Sequence, residues 1–558
     1  MNRPTSPQAT LAPKGGVVPC TRRVMNLSHV LTQAARRFPD QVGFVWGDQT
    51  WTWAELDTRV DAMVVELRKR GVEKGDRVLV QSKNCNQMFE SMFVCFRLGA
   101  VWVPTNFRQS PDEVAYLAEA SGASFMICQS DFPDHAAAAK AASRSLDQII
   151  FIASRQDAAP SGDGSNDYDT IIARVGSQPD QAACQRSKVE PEDVEYDDPC
   201  WFFFTSGTTG RPKAAVLTHG QMGFVITNHL CDLMPATTQQ DASLVVAPLS
   251  HGAGIHQLAQ MARATKTILL DAERFDPTEA WKLIEHWRVT NMFTVPTILK
   301  MLTEHPSVDN YDHTSLRYVI YAGAPMYRED QKYALAKLGS VLVQYFGLGE
   351  VTGNITVLPP ALHDAEDGPD VKLGTCGIER TGMQVSIQSE KGQTLAPNET
   401  GEICVCGPAV FAGYYNNPEA NAGAFRNGWF RTGDLGHQDE QGFLYITGRS
   451  SDMYISGGSN VYPREIEEKI LQHPAVKEVA IVGVPDPLWG EIGVAVVVLR
   501  DGHQIEGVDL LAELSGKVPR YKLPRQVFFW EELPKSAYGK ITKKLIRTEL
   551  EDRGLLTP

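Results

Sequence analysis

Apolar residues along the chain follow two alternating rhythms. In TWAELDTRVDAMVVELRKRG, Leu56, Val60, Met63, Val64 and Leu67 recur at helical spacing, Thr52 and Glu55 stand at capping-box spacing ahead of them, and Gly71 closes the run. DRVLVQS then reads as a short buried strand, and FESMFVCFRLGAVWVPTN as a helix leading through Gly99 into another strand. The alternation continues through SFMICQS, QIIFIAS, LVVAPLS, NMFTVP and RYVIYAG. This predicts α/β layers.

Two stretches break the rhythm. Residues 155–200 are rich in Asp, Ser, Gln and Pro, which predicts a surface connection. From TGEICVCG to GFLYITG the helices thin out and Gly-punctuated short strands predict a mostly β subdomain. Beyond 450, PREIEEKILQHP reads as a helix with Pro463 in its first turn, and VKEVAIVGVPD and GVAVVVLR as strands, giving a small α+β domain of about 110 residues. The expected fold class is therefore α/β: a tail over 1–24, a large N-terminal domain of α/β layers with a β-rich subdomain over 25–450, and a small mobile α+β domain over 451–558.

Composition narrows the function. At 558 residues the chain exceeds one core. The net charge of -14 leaves no basic surplus to neutralise phosphates, which argues against a nucleic-acid partner. Ten cysteines occur without a CxxC pair or a His/Cys cluster at metal-ligand spacing, the usage of reduced thiols in a cytoplasmic protein. Cys404 and Cys406 share a strand face, where packing accounts for them. No run reaches the about 18 apolar residues of a membrane span, and MNRPTSPQATLAPKGG lacks the apolar core of a signal peptide.

The densest candidate chemistry is TSGTTGRPK at 205–213. Thr205, Ser206, Gly207, Thr208, Thr209 and Gly210 can turn backbone N–H groups and hydroxyls toward one point, with Lys213 beyond, which suits an anion such as a phosphate. A Gly/Thr-rich turn with a solvated lysine fits the same residues. The loop is not a GxxxxGK[ST] P-loop, because Arg211 and Pro212 separate Gly210 from Lys213.

Further motifs follow in order: YAGAP at 321, QYFGLGE at 344, RTGDLG at 431, ITGRSSDMYISGGSNVYPREIE at 446 and LPKSAYGKITK at 533. With WFFFTSGTTGRPKAAVLTH they resemble the acyl-adenylate-forming superfamily, specifically its acyl-CoA synthetases, over roughly residues 27 to 548. The resemblance implies a reaction of a carboxylic acid with Mg·ATP to give acyl-AMP and pyrophosphate, then acyl transfer to a thiol, usually that of coenzyme A. It implies that residues 205–213 clamp the β,γ-phosphates, that Glu350 holds Mg²⁺, and that Lys540 bridges the attacking carboxylate and the phosphate. It further implies that Asp434 takes the ribose hydroxyls with Arg449 donating nearby and Ile446 on the same strand. Gly323, Ala324 and Pro325 wall the adenine, and Gln344, Tyr345, Phe346 and Gly347 complete the nucleotide site, Phe346 standing at the family's stacking tyrosine.

Several positions depart from the family pattern or carry two readings. Gly349 stands where a threonine normally offers a hydroxyl to the α-phosphate, a loss of about 0.5–1.5 kcal/mol for which Thr352 is a candidate substitute. Tyr345 replaces a glycine facing the acyl pocket, which argues for a compact aromatic or medium-chain acid. His251 in APLSHGAG matches a position flanking the acid, though a His bonded to backbone at a strand end fits equally. No arginine stands out as a partner for a second carboxylate. Ser451, two residues after Arg449, matches the hinge about which the family rotates its C-terminal domain. Gly457 and Gly458 match the pantetheine tunnel or form a plain turn, and Trp489 and Tyr521 are candidates for contact with the coenzyme's adenine or simply surface aromatics.

The leading expectation is thus a cytoplasmic, ATP- and Mg²⁺-dependent acid–CoA ligase acting on a small carboxylic acid. Loading of a carrier protein, a long-chain fatty acid as substrate and a non-enzymatic nucleotide-binding role are the alternatives, and a homo-oligomer is left open.

Overall fold

The computed structural model describes residues 21, 23–154, 165–176, 189–205, 211–272, 275–324, 326–535 and 541–556. Two largely parallel sheets dominate the first part of the chain. One runs in the spatial order Gln148–Ile152, Phe125–Gln129, Arg77–Gln81, Val101–Pro104, Pro199–Thr205 and Lys213–Thr218, with only the last pairing antiparallel. The other places Leu342–Phe346, Tyr318–Tyr321, Asn291–Thr294, Ala242–Val245, Lys266–Leu269 and Val42–Trp46 side by side and parallel, with antiparallel strands at both edges.

Four helices share the main hydrophobic core with both sheets: Trp53–Lys69, Asn86–Arg97, His219–Asp232 and Gly252–Met261. The first forms as its pattern predicts. Thr52 and Glu55 close a reciprocal capping box, and Leu56, Val60, Met63, Val64 and Leu67 are all buried. Asn86–Arg97 is buried on every side, so its charges need partners inside the protein. Glu90 pairs with Arg59 at 2.6 Å, and Arg97 pairs with Asp57 at 2.6 Å and with Asp61.

The expectation of a surface connection over 155–200 fails in part. Tyr168–Gly176 is a helix whose Tyr168, Ile171 and Val175 are buried at helical spacing against Trp53–Lys69, and Asp169 pairs with Arg59 at 2.6 Å. A single apolar stripe in a polar, Ser-rich setting was too thin to read as an element.

A five-stranded antiparallel sheet built from Gln384–Gln388, Gly401–Cys406, Phe425–Arg426, Trp429–Gln438 and Leu444–Arg449 forms the expected β-rich part. Within it Cys404 is buried and Cys406 half-buried. From Tyr454 the chain builds a further sheet on the long hairpin Val476–Asp486 and Gly490–Leu499, with the strand Gln526–Phe529 added in parallel. Helices Pro463–Ile470 and Gly507–Leu514 cover one face through Ile466, Ile470, Leu510 and Leu514, and Lys543–Asp552 covers the other through Ile546 and Leu550. The mixed α/β class with a smaller α+β end is as expected. Among the described residues no helix is long and apolar enough to cross a membrane.

Burial holds His219, His229, His256 and His363 neutral, His229 well below its ordinary value. It pushes the imidazoles of His219, His256 and His363 down to about 4. The unfolded chain, with histidine near 6.5, therefore binds more protons between these values, so stability is lost as pH falls through that window. The melting temperature should drop by roughly 5 °C or more between pH 7 and pH 5. A flat thermal-shift profile over that range would contradict the neutral burial of these rings.

Candidate active site

The carboxyl ends of the central strands of both sheets converge, which is where open parallel sheets collect loops and binding groups. Pro199–Thr205 delivers Thr205 there, Leu342–Phe346 leads through Gly347 to Glu350, Tyr318–Tyr321 leads to Gly323 and Ala324, and Ala242–Val245 leads to His251. Ser206, Gly207, Thr208, Thr209, Gly210, Pro325 and Lys540 lie outside the described residues.

Glu350 is the centre of the assembly. It is buried, and its Oε1 accepts from the Thr205 hydroxyl and from the Tyr414 phenol, both at 2.9 Å. Its backbone carbonyl accepts from Phe411 N–H at 2.8 Å. No basic side chain among the described residues pairs with it. A buried carboxylate held by two neutral donors and lacking a cationic partner suits a hard divalent cation. Burial and the neighbouring carboxylate push the Tyr414 phenol upward, so it remains a donor at all working pH.

Tyr414 was not legible in the sequence. It arrives because residues 412–415 run alongside Lys213–Thr218, with an Ala215–Tyr414 bridge and a Val216 N–H to Gly413 bond. Lys213, opposite Thr205 at the base of the hairpin, sits 5.2 Å from the Tyr414 ring. Thr205, Lys213, Glu350 and Tyr414 thus lie together.

Asp434 and Arg449 face each other across adjacent strands and pair at 3.1 Å, with Ile446 farther along the same strand. Gln344 accepts from the Tyr321 hydroxyl at 3.1 Å, which ties the end of its strand to the neighbour. Gly323 adopts a φ of 85°, a left-handed turn that suits glycine, and half-buried Phe346 ends the next strand, which pairs in parallel with Tyr318–Tyr321.

Tyr345 is enclosed by Phe293, stacked at 6.0 Å and 21°, by His229 at 6.3 Å and by the Arg380 guanidinium at 6.0 Å. Its ring lies on Gly353, where φ is +78° and an added Cβ would fall 2.4 Å from Tyr345 Cε2. Its phenol oxygen comes up to Gly252, from whose Cβ position it would lie 3.6 Å away. His251 caps that helix start, bonded through Nδ1 to Ser250 Oγ at 2.9 Å and packed edge-on to Phe203 at 5.1 Å. These two partners are a neighbouring hydroxyl and an aromatic edge.

Three residues near Tyr345 and Glu350 bear on the expectations above. Arg380 stands beside Tyr345 and is fully buried; it donates to Gly353 O at 3.3 Å and pairs with Asp232 at 3.6 Å, and burial pushes its guanidinium down to about 10. Nothing in ERTGMQ announced a buried cation. Thr352 is no substitute for the hydroxyl absent at 349, because it is itself buried, donates to Val351 O at 2.6 Å and accepts from Asn354 at 2.9 Å. Finally, Gly349 is sterically locked: a Cβ there would lie 2.6 Å from both Phe203 Cδ1 and Cε1 and 2.9 Å from Thr205 Cγ2.

On the smaller part of the chain, Ser451 lies in an exposed turn between Leu444–Arg449 and Tyr454–Ser456 and bonds to Asp452 at 3.3 Å. Gly457 and Gly458 form the turn after Tyr454–Ser456, both with positive φ, and Gly457 N–H donates to Trp489 O at 2.8 Å. Trp489 carries the Arg525 guanidinium at 5.3 Å, and Tyr521 is half-exposed on the separate turn Arg520–Lys522.

Comparison with known proteins agrees with this geometry. The AMP-binding enzyme model matches residues 31–415 and the AMP-binding enzyme C-terminal domain matches 465–540. A feruloyl-CoA synthase from Amycolatopsis is 37% identical over 92% of this chain and 96% of its own length. An indoleacetate–CoA ligase from Aromatoleum aromaticum is 32% identical over 94% and 98%. The o-succinylbenzoate CoA synthetase of Bacillus subtilis, solved with its acyl-adenylate intermediate, superposes with a TM-score of 0.79 at 29% identity, over 93% of this chain and 97% of that one. A structure of the same synthetase with ATP and a magnesium ion gives 0.77 at 29%, over 93% and 99%. Fold and site together define a protein of the acyl-adenylate-forming class. The chain belongs to the AMP-binding enzyme family, among its acyl-CoA synthetases.

Removing the Tyr414 hydroxyl while keeping its ring isolates one of the two donors to Glu350. Tyr414→Phe should lower the adenylation kcat about tenfold, the scale of one hydrogen bond to a charged group, and raise the Mg²⁺ concentration giving half-maximal rate. Unchanged Mg²⁺ dependence in a pyrophosphate-release assay would show that this bond does not position the carboxylate.

Proposed function

We propose that the chain is an AMP-forming carboxylic acid–CoA ligase whose substrate is a compact aromatic acid. The observation that carries the substrate class is the aromatic surround of the acid side, Tyr345 stacked with Phe293 beside the His251–Gly252 turn. Planar rings offset against one another favour a flat guest over a long alkyl chain, and Tyr345 fills volume such a chain would need. The relatives named for feruloyl and indoleacetate substrates support the same class.

In the first step an oxygen of the substrate carboxylate attacks the α-phosphorus of ATP, the bond to the β-phosphate oxygen breaks, and pyrophosphate leaves. Two anions approach, so the residues around them must supply positive potential and donors. We assign Thr205 through Gly210 and Lys213 to the departing phosphates and Lys540 to the forming bond, the last on its match to the family motif. Gln344, Phe346, Gly347, Gly323, Ala324 and Pro325 are assigned to the adenine end, and Asp434, with Arg449 and Ile446, to the ribose. The fit of Glu350 to a divalent cation supports it as the Mg²⁺ residue, and Mg²⁺ bound there would offset phosphate charge.

In the second step the thiol sulfur of coenzyme A attacks the acyl carbon and AMP departs. We take Ser451 as the hinge dividing residues 25–450 from 451–558, and Gly457, Gly458, Trp489 and Tyr521 as the coenzyme side. The free thiols among the described cysteines fit a cytoplasmic enzyme.

Acid-dependent exchange of pyrophosphate into ATP tests the reading. Hydroxycinnamic and arylacetic acids should give kcat/KM at least about tenfold above C6–C8 acids and further above C16. Preference for C16 would overturn the substrate class, and no exchange with any acid would overturn the enzymatic reading. Ser451→Pro should slow CoA thioester formation while sparing exchange. Equal loss of both half-reactions would contradict the hinge.

A further inference from the structure

Phe203 occupies a place that no motif assigns to it. In the strand Pro199–Thr205 the residues Cys200, Trp201, Phe202 and Phe204 are buried, whereas Phe203 is only half-buried, so its side chain borders open space. Its ring has two neighbours of consequence. Toward the phosphate side it fills the volume in which a residue 349 side chain would begin, 2.6 Å from that Cβ position. Toward the acid side it meets the His251 imidazole at 5.1 Å and 70°, an edge-to-face contact.

The His251–Gly252 turn is therefore flanked twice by aromatic rings. Phe203 touches it at His251, while Phe293 and the Tyr345 phenol touch it at Gly252, from whose Cβ position Phe293 Cζ would lie 2.8 Å away. A planar acid seated along this turn meets rings at both ends, and Phe203 is the one that also borders the segment carrying Glu350.

We propose that Phe203 is a specificity-determining residue for the acid, and that Gly349 is the other half of the same device: the ring takes the space that a side chain at 349 would use. The inference rests on the aromatic-acid reading above. In this arrangement Phe203 holds the His251 ring and forms part of the wall against which the acid packs. Gly349 is then required for close approach and not for backbone freedom, since its φ is not among the positive values.

The test is a double-mutant cycle read with aromatic and aliphatic acids by pyrophosphate exchange, with ATP affinity and melting temperature measured alongside. Phe203→Leu should raise KM for the aromatic acid about tenfold while kcat falls far less, and should leave KM for octanoate within about threefold. Gly349→Thr alone should lose about 100-fold in kcat/KM through collision with the ring. Phe203→Val combined with Gly349→Thr should regain at least about tenfold over Gly349→Thr. If Gly349→Thr does not fold, Gly349→Ala makes the same collision with a single added carbon and enters the cycle in its place.

Additive losses in the cycle, or a Phe203→Leu effect equal for both acid classes, would overturn the proposal. If the unmodified enzyme turns over aromatic acids while the cycle is additive, only the role of Phe203 falls. If it turns over no aromatic acid, the substrate reading falls and this inference with it.

Discussion

The site depends on one buried carboxylate. Glu350 receives Thr205 from the six-stranded sheet, stands at the end of a strand of the nine-stranded sheet, and is joined through Phe411 and Tyr414 to the segment that enters the β-rich part. Both large sheets and the entry to the β-rich part, which share one hydrophobic core, thus meet at one residue. Among the described residues Glu350 has no cationic partner; burying such a carboxylate is costly, and two neutral hydroxyls offset only part of that cost. The arrangement keeps a buried charge where a cation and phosphates would meet, which is the arrangement phosphoryl and adenylyl transfer needs.

A second buried charge shapes the opposite wall. Arg380, enclosed beside His229 and Asp232, donates to the carbonyl of Gly353 and lies over Tyr345. Gly353 follows Glu350 by three residues and supports the Tyr345 ring at the same time. Removing one partner of such a buried group leaves the other unpaired, a loss of about 3–5 kcal/mol for charged pairs. The surroundings of Tyr345 and of Glu350 are therefore mechanically continuous through residues 345–353.

What the sequence made legible follows from how local each signal was. The capped helix over Trp53–Lys69 and the strands such as Asn291–Thr294 and Tyr318–Tyr321 were readable because a cap, a period and a stop lie within a few residues. Glu350, Asp434 and Arg449 could be singled out because each sits in a short motif of a few residues. Tyr414, Phe203, Phe293 and Arg380 were not. Each acts through a partner tens to more than a hundred residues distant, as Tyr414 does on Glu350 64 positions away, and no periodicity encodes such a meeting. The helix Tyr168–Gly176 was missed for a different reason, a short stripe outvoted by polar composition.

The same non-locality governs how the departure at 349 is weighed. Read as a single position, a glycine where a hydroxyl is usual is a loss of about 0.5–1.5 kcal/mol. Read with its neighbour, it admits the Phe203 ring, and an edge-to-face aromatic contact such as that with His251 is worth about 0.5–1.5 kcal/mol beyond the apolar area it covers. The two magnitudes are equal in scale but act on different equilibria, because the hydroxyl's bond exists only with nucleotide bound whereas the ring contact belongs to the folded chain. The consequence of the exchange lies in selectivity, because a hydroxyl acts on every acid alike whereas a ring discriminates by shape. The position that looked like a defect in the nucleotide site is, on these contacts, a feature of the acid site.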